Sequence, residues 1–315
     1  MHIFDAATIR AALPFERLIP ALRALFAAGC QVPPRHVHEV AAPGGGHFTS
    51  LIMPAWLEGR YYGIKTINVA PGNAALGLPG LHGVYVLFDG VTGVPLALMD
   101  GDEITIRRTA AASALAASSL ARHDAHHLLV VGAGRIAALL PQAHGAVRRL
   151  ERISMWARRS QEAETLAAQL RAQGLPAEAT VDLAAACGMA DIISCATLAT
   201  APVVQGAWLR PGSHLDLIGS FTPAMREADD ACFDGAALYI DTEEAFKKSG
   251  DLLGPLARGV LSEADLAGTL ATLSRGTAQG RQSPAQRTVF KSVGTALEDL
   301  AAAMLVDQFH QEQSP

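Results

Sequence analysis

The sequence predicts an α/β fold with two units. One is a doubly wound parallel sheet; the other is an α+β unit that is discontinuous in sequence. Three observations predict this. From His127 onward, short apolar strand candidates alternate with helical segments, the pattern of a parallel sheet with helices on both faces. The first of those strands, Leu128–Val131, runs directly into Gly132-Ala133-Gly134-Arg135-Ile136-Ala137, a Gly-x-Gly-x-x-Ala turn. Before residue 100 the pattern is alternating apolar and polar residues broken by tight turns, which reads as antiparallel strands. The expected division is 1–118 plus 295–315 for the α+β unit and 119–294 for the parallel sheet.

In order, residues 1 to about 30 read as largely helical. Pro14 suits a first helical position, and Leu18, Leu22, Leu25 and Phe26 recur at helical spacing. Pro20 is expected to kink or split that segment. Strands are expected at 36–40, 48–56, 61–69, 84–88 and 95–98, with a turn at Asp89-Gly90-Val91-Thr92-Gly93. An Ala-rich helix follows over 105–120. Beyond it, strands are expected at 128–131, 153–156, 191–195, 214–218 and 238–240, with helices between them, such as 161–173. The tail, 295–311, carries an apolar stripe of Leu297, Leu300, Ala301 and Met304 and is expected to return to the first unit.

Half of the 315 residues are hydrophobic, enough for about two domains. A net charge of −5 argues against nucleic acid and anionic membrane surfaces as partners. No apolar run approaches the ~18 residues of a membrane span. The start, Met1-His2-Ile3-Phe4-Asp5, shows no secretion signal. Cys30, Cys187, Cys195 and Cys232 lack Cys-x-x-Cys spacing and read as reduced thiols of a cytoplasmic protein.

The glycine turn has a physical logic. Gly132 allows a sharp turn, Gly134 lets a pyrophosphate approach the backbone, and Ala137 lets a helix pack on the strand. That is the signature of a Rossmann-type dinucleotide fold. Pro141 falls inside the expected helix and should disturb it. In NAD-binding folds an acidic residue about 20 positions on holds the ribose 2′-hydroxyl. Here the second strand ends in Arg158-Arg159-Ser160. Guanidinium groups suit a 2′-phosphate, so NADP(H) is expected ahead of NAD(H). The alternative is a solvated arginine pair.

Lys65 lies among apolar strand residues, either buried for a task or turned to solvent by strand alternation. Arg107 and Arg108 are read as opening a helix, where cations oppose the macrodipole and a bound anion is one explanation; two solvated arginines are the other. His36-x-His38 lacks a nearby third ligand, so no metal site is expected. His126-His127 reads as a surface pair.

Arg35, Met53-Pro54, Lys65-Thr66-Ile67-Asn68, Pro71-Gly72-Asn73, Gly77-Leu78-Pro79, Thr92-Gly93-Val94-Pro95, Arg108-Thr109-Ala110-Ala111, Gly132-Ala133-Gly134 and Thr288-Val289-Phe290-Lys291-Ser292-Val293-Gly294 occur in this order. In this the chain resembles the ornithine cyclodeaminase/mu-crystallin family over nearly its whole length. The resemblance implies a homodimer with a substrate and dimerisation domain and an NAD(P)-binding domain. It implies that Arg35 and Arg108 clamp a substrate carboxylate, that Lys65 is catalytic beside the carbon–nitrogen centre, and that Met53, Ser220 and Phe221 line the substrate. It implies that Ala196, Thr197 and Ser292 lie near the nicotinamide; with Thr109, the glycine turn Gly132, Ala133, Gly134, Arg135 and Ile136, and Arg158, Arg159 and Ser160 after the second strand, these are the candidate cofactor residues.

One departure separates family members. Cyclodeaminases carry an Asp where this chain has Phe221, in Gly219-Ser220-Phe221. An apolar ring cannot manage protons during cyclisation. The resemblance is therefore closest to ketimine reductases, which reduce 1-pyrroline-2-carboxylate or 1-piperideine-2-carboxylate to proline or pipecolate. A cyclodeaminase using catalytic NAD, and a non-catalytic NADPH binder of mu-crystallin type, are the alternatives.

Overall fold

The computed structural model describes residues 1–41 and 46–313. The last two residues of the expected 295–315 segment thus lie outside the described ones. The chain forms two compact units, Met1–Arg108 with Thr295–Pro315, and Thr109–Gly294. The division falls after Arg108 rather than after residue 118, within one continuous helix, Gly101–Leu120.

The first unit runs β1 (His2–Phe4), α1 (Ala6–Ala12), α2 (Phe15–Ala28), β2 (His36–Ala41), β3 (His47–Leu57), β4 (Tyr61–Val69), β5 (Leu81–Asp89) and β6 (Pro95–Asp100). The long helix Gly101–Leu120, α3, follows. The sheet order is β1-β6-β5-β4-β3-β2, antiparallel except for β1 beside β6. One row across it is Met53, Lys65, Tyr85 and Met99 in register. All four are buried, so they share the covered face, where the last helix, α10 (Ala296–Gln313), packs on β3, β4 and α2.

Asp5 caps α1 by accepting from the Thr8 amide at 2.8 Å. Pro14 is the residue before α2 rather than its first member, and Pro20 lies inside an unbroken α2. Pro20 is on the exposed side. The opposite side buries Leu18, Ile19, Leu22, Leu25 and Phe26, and burial of about 2 kcal/mol each outweighs the roughly 3 kcal/mol cost of an interior proline. The Asp89–Gly93 turn forms as expected, its carboxylate accepting from the Thr92 amide at 2.7 Å.

The second unit comprises β7 (His127–Val131), α4 (Leu140–Gly145), β8 (Arg152–Trp156), α5 (Ser160–Ala172), β9 (Ala177–Ala179), α6 (Leu183–Met189), β10 (Ile192–Cys195), β11 (His214–Leu217), β12 (Ala237–Ile240), α7 (Ala245–Lys248), α8 (Gly250–Ala257), β13 (Leu266–Thr269), α9 (Leu270–Arg275) and β14 (Thr288–Lys291). The sheet is parallel throughout, in the order β13-β12-β14-β11-β10-β7-β8-β9. The doubly wound Rossmann-type fold is therefore present.

Two expectations fail here. No regular helix follows Gly134 directly: residues 135–139 are turns and α4 begins only at Leu140, with Pro141 in its first turn. Pro141 has no N–H to give to the carbonyl four residues back. His127 is not on the surface. It is buried, with Nε2 2.9 Å from Ser154 Oγ. Among the described residues no helix is long and apolar enough to cross a membrane.

Candidate active site

In the first unit, β4 alternation turns Lys65 to the covered face, and its side chain is 0% exposed. A buried ammonium needs a partner. Its Nζ lies 2.7 Å from Asp299 Oδ1 on α10 and 3.2 Å from Thr105 Oγ1 on α3. Arg108 meets the same Asp299 and a second acid, Glu298. Its Nε donates to Asp299 Oδ1 at 2.8 Å and its Nη1 to Glu298 Oε2 at 2.5 Å.

Burial pulls the Lys65 ammonium down to about 8; Arg108 adds to that pull, and Asp299 and Glu298 oppose it. Burial also lowers the Arg108 pKa, but Asp299 and Glu298 outweigh it and the net direction is up. For Asp299 burial raises the pKa, and the two cations more than reverse that. The cluster is thus two cations paired with two carboxylates in a buried site.

The macrodipole argument for Arg107 and Arg108 does not hold. Both lie more than a turn inside α3, whose first turn carries Asp102 and Glu103. Arg107 is structural. Its Nε donates to the Leu13 carbonyl at 2.9 Å and its guanidinium lies 4.7 Å above the Phe15 ring centre. Met53 is the register partner of Lys65. Arg35 is half-buried and directly precedes His36, whose register partner is Ile52, next to Met53.

In the second unit the candidate residues gather at the carboxyl ends of the strands, where open α/β sheets bind ligands. Gly132, after β7, has φ 130°, and a Cβ there would meet the Ala196 carbonyl oxygen at 2.6 Å. Gly134 is the reverse case, with open space where a Cβ would stand. The pair makes a tight turn with an accessible backbone, which fits a pyrophosphate. Arg135 is exposed and Ile136 half-buried beside it.

At the end of β8, Arg158, Arg159 and Ser160 are exposed. Arg159 Nε donates to Glu162 at 2.8 Å. No ion pair of Arg158 occurs among the described residues, whereas Arg159 is paired with Glu162. Thr109 is buried in α3.

Hydroxyls named from sequence are held by the fold. Ser220 Oγ donates to the Met225 carbonyl at 2.7 Å, and Ser292 Oγ to Asp241 at 2.9 Å. Thr197 donates its amide and its Oγ1 to Glu227, and Ala196 beside it is half-buried. Phe221 packs against the apolar core of this unit. Sequence reasoning missed Glu298, Asp299, Glu227, Asp241 and Asp251. The available signal was acidic residues inside otherwise apolar helices and loops, such as Glu298-Asp299 within Ala296–Val306.

The sequence profile of the ornithine cyclodeaminase/mu-crystallin family matches residues 12–314. A Delta(1)-pyrroline-2-carboxylate reductase of Paracoccus denitrificans strain Pd 1222 is 46% identical over 297 residues, 93% of this chain and 92% of the relative. The structure of Thermococcus litoralis Delta(1)-pyrroline-2-carboxylate reductase in complex with NADH and L-proline superposes with a TM-score of 0.92 at 30% identity, covering 99% of this chain and 98% of the other. An archaeal alanine dehydrogenase dimer with bound NAD gives 0.90 at 27% identity, covering 99% and 97%. The chain belongs to the ornithine cyclodeaminase/mu-crystallin family.

Proposed function

We propose that the protein is an oxidoreductase acting on a C=N bond, which reduces a cyclic 2-imino acid, 1-pyrroline-2-carboxylate or 1-piperideine-2-carboxylate, to proline or pipecolate. The coenzyme class is a nicotinamide dinucleotide, as in the solved relatives, and NADP(H) is preferred because Arg158 stands where an acid would hold a 2′-hydroxyl. Bound coenzyme supplies the hydride that adds to C2. The chain's own residues do the rest. The Arg108 guanidinium, with Arg35, binds the substrate carboxylate in fork geometry. The Lys65 ammonium donates a proton or hydrogen bond at the imine nitrogen. Asp299 and Glu298 keep both cations oriented and charged.

The observation that carries the reductase reading over cyclodeamination is the state of the carboxylates beside the Gly219–Phe221 stretch. Phe221 is an apolar ring seated on the core. Glu227 is committed to backbone donors. Asp216 is fully buried and holds the Ser113 and Ser194 hydroxyls. Both carboxylates are thus held inside the fold, and the position of Phe221 offers none. Coupled assays of coenzyme oxidation with both cyclic imines, and of ammonia release from ornithine, test the reading.

A homodimer is part of the proposal. The sheet face of the first unit opposite Lys65 presents Val84 and Trp56, 47% and 36% exposed, and a second copy would cover it.

A further inference from the structure

Glu227 lies in the stretch after β11 and is 0% exposed. Its Oε1 accepts from the Thr197 amide at 2.7 Å and from Thr197 Oγ1 at 2.9 Å. Its Oε2 accepts from the Gly219 amide at 2.7 Å and the Ser220 amide at 3.2 Å. One carboxylate thus ties the stretch after β10 to the stretch after β11. The packing leaves no slack. A Cβ on Gly219 would stand 2.1 Å from the Thr197 carbonyl oxygen and 2.5 Å from Glu227 Oε1. Gly132 in turn abuts Ala196. The turn after β7 is thus packed on the end of β10, and the ends of β10 and β11 share Glu227 as acceptor.

Glu227 is itself anchored. Asp251 Oδ1 accepts from the Glu227 amide at 2.7 Å and the Ala228 amide at 3.1 Å. Lys291, the last residue of β14, lies 3.1 Å from Asp251 Oδ2 and 4.0 Å from Glu227 Oε2. All three side chains are fully buried. This arrangement fixes four strand ends relative to one another without exposing a charge.

We propose that Glu227 is a positioning residue for hydride transfer: it sets the Thr197 and Gly219–Ser220 backbones against the nicotinamide end of the coenzyme. This rests on the reading that the second unit binds a nicotinamide coenzyme. Small displacements of reacting groups cost large factors in rate, whereas the glycine turn and Arg158, on the other half of the coenzyme, make no hydrogen bond to Glu227 among the described residues.

The test is Glu227→Gln, which keeps the shape but turns one acceptor into an NH₂ that faces N–H donors. NADPH binding is followed by coenzyme fluorescence, turnover with 1-pyrroline-2-carboxylate, and the isotope effect with NADPH deuterated at the transferred C4 position. The expected result is a fall in kcat of about ten- to a hundredfold, a larger isotope effect, and an NADPH Kd within about threefold of the parent. An unchanged kcat and isotope effect overturns the proposal. So does a proportionate loss of Kd and kcat with the melting temperature. If Glu227→Gln does not fold, Thr197→Val, which removes only the hydroxyl donor, decides: kcat lowered about threefold with Kd retained supports the role, and unchanged kcat overturns it. Parent protein that binds neither NADPH nor NADH overturns the coenzyme reading and this proposal with it.

Discussion

Lys65 Nζ and Asp299 Oδ1 lie 2.7 Å apart, joining residues 234 positions apart in sequence whose side chains are both fully buried. The same oxygen accepts from Arg108 at 2.8 Å. A strand, the long helix and the last helix of the chain are thereby tied at one carboxylate. The cations that would meet the substrate are oriented before it arrives, which is what preorganised electrostatics requires.

Asp299→Asn should therefore cost more than a surface pair. Removing one partner of a buried ion pair strands charge in a dry site, at about 3–5 kcal/mol. Urea unfolding of parent and variant measures it. A loss below about 1 kcal/mol, the scale of an exposed pair, would contradict the cluster's role.

The pH dependence follows from Lys65. Burial, with Arg108, pulls its ammonium from 10.5 to about 8. The charged form is present below that value, so kcat/KM for imine reduction should hold up to about pH 8 and fall above it. Stability moves the other way. Between the folded value and 10.5 the unfolded chain binds more protons at this site, so this group makes the fold more stable as pH rises. A pH–rate profile run beside melting curves separates the two. An activity that keeps rising well past that pH would remove Lys65 as proton donor.

Arg108→Lys should lose at least about a hundredfold in kcat/KM, because an ammonium cannot span two acids and a carboxylate in a fork. Arg35→Ala should mainly raise KM for the imino acid. Near-normal kcat/KM in folded Arg108→Lys would contradict the clamp.

For the coenzyme, Arg158→Ala should raise KM for NADPH about tenfold or more, the scale of one charge-assisted contact, and change KM for NADH little. Arg159→Ala should do less, since Glu162 already holds Arg159. Equal losses with both coenzymes would mean that Arg158 has no 2′-phosphate role.

What was legible in sequence was periodic or punctuated. β2 to β6, β7, β8 and β10 to β12 announce themselves by alternation or by apolar runs between turns, and the glycine turn by its spacing. β14 was not seen, although it sits between β11 and β12. It is four residues long and ends in Lys291, whose charge is met by Asp251 and Glu227, far away in sequence. β1 and β9, three residues each, are too short to carry a period, and Gly268 breaks the short apolar run of β13. The cationic half of the site was visible as Lys65 and Arg108. The anionic half was not, because Glu298 and Asp299 are buried on a helix that is covered on nearly all sides, and adjacent acids on a helix ordinarily read as its wet face.

Phe221→Asp places a charge against the apolar core of the second unit and should lower imine reduction about tenfold or more, the scale of an unpaired buried polar group. It need not create a cyclodeaminase. Reductase activity equal to the parent's would mean that Phe221 has no part in the site.

In cyclic-imine reduction the ring is closed before the substrate reaches the protein. The direct measurement pairs two reactions of the unaltered protein: 1-pyrroline-2-carboxylate or 1-piperideine-2-carboxylate with NADPH, and ornithine with NAD⁺. The expected result is NADPH oxidised mole for mole with proline or pipecolate formed, and negligible ammonia from ornithine. Robust proline and ammonia formation from ornithine, with no net coenzyme consumed, would contradict it.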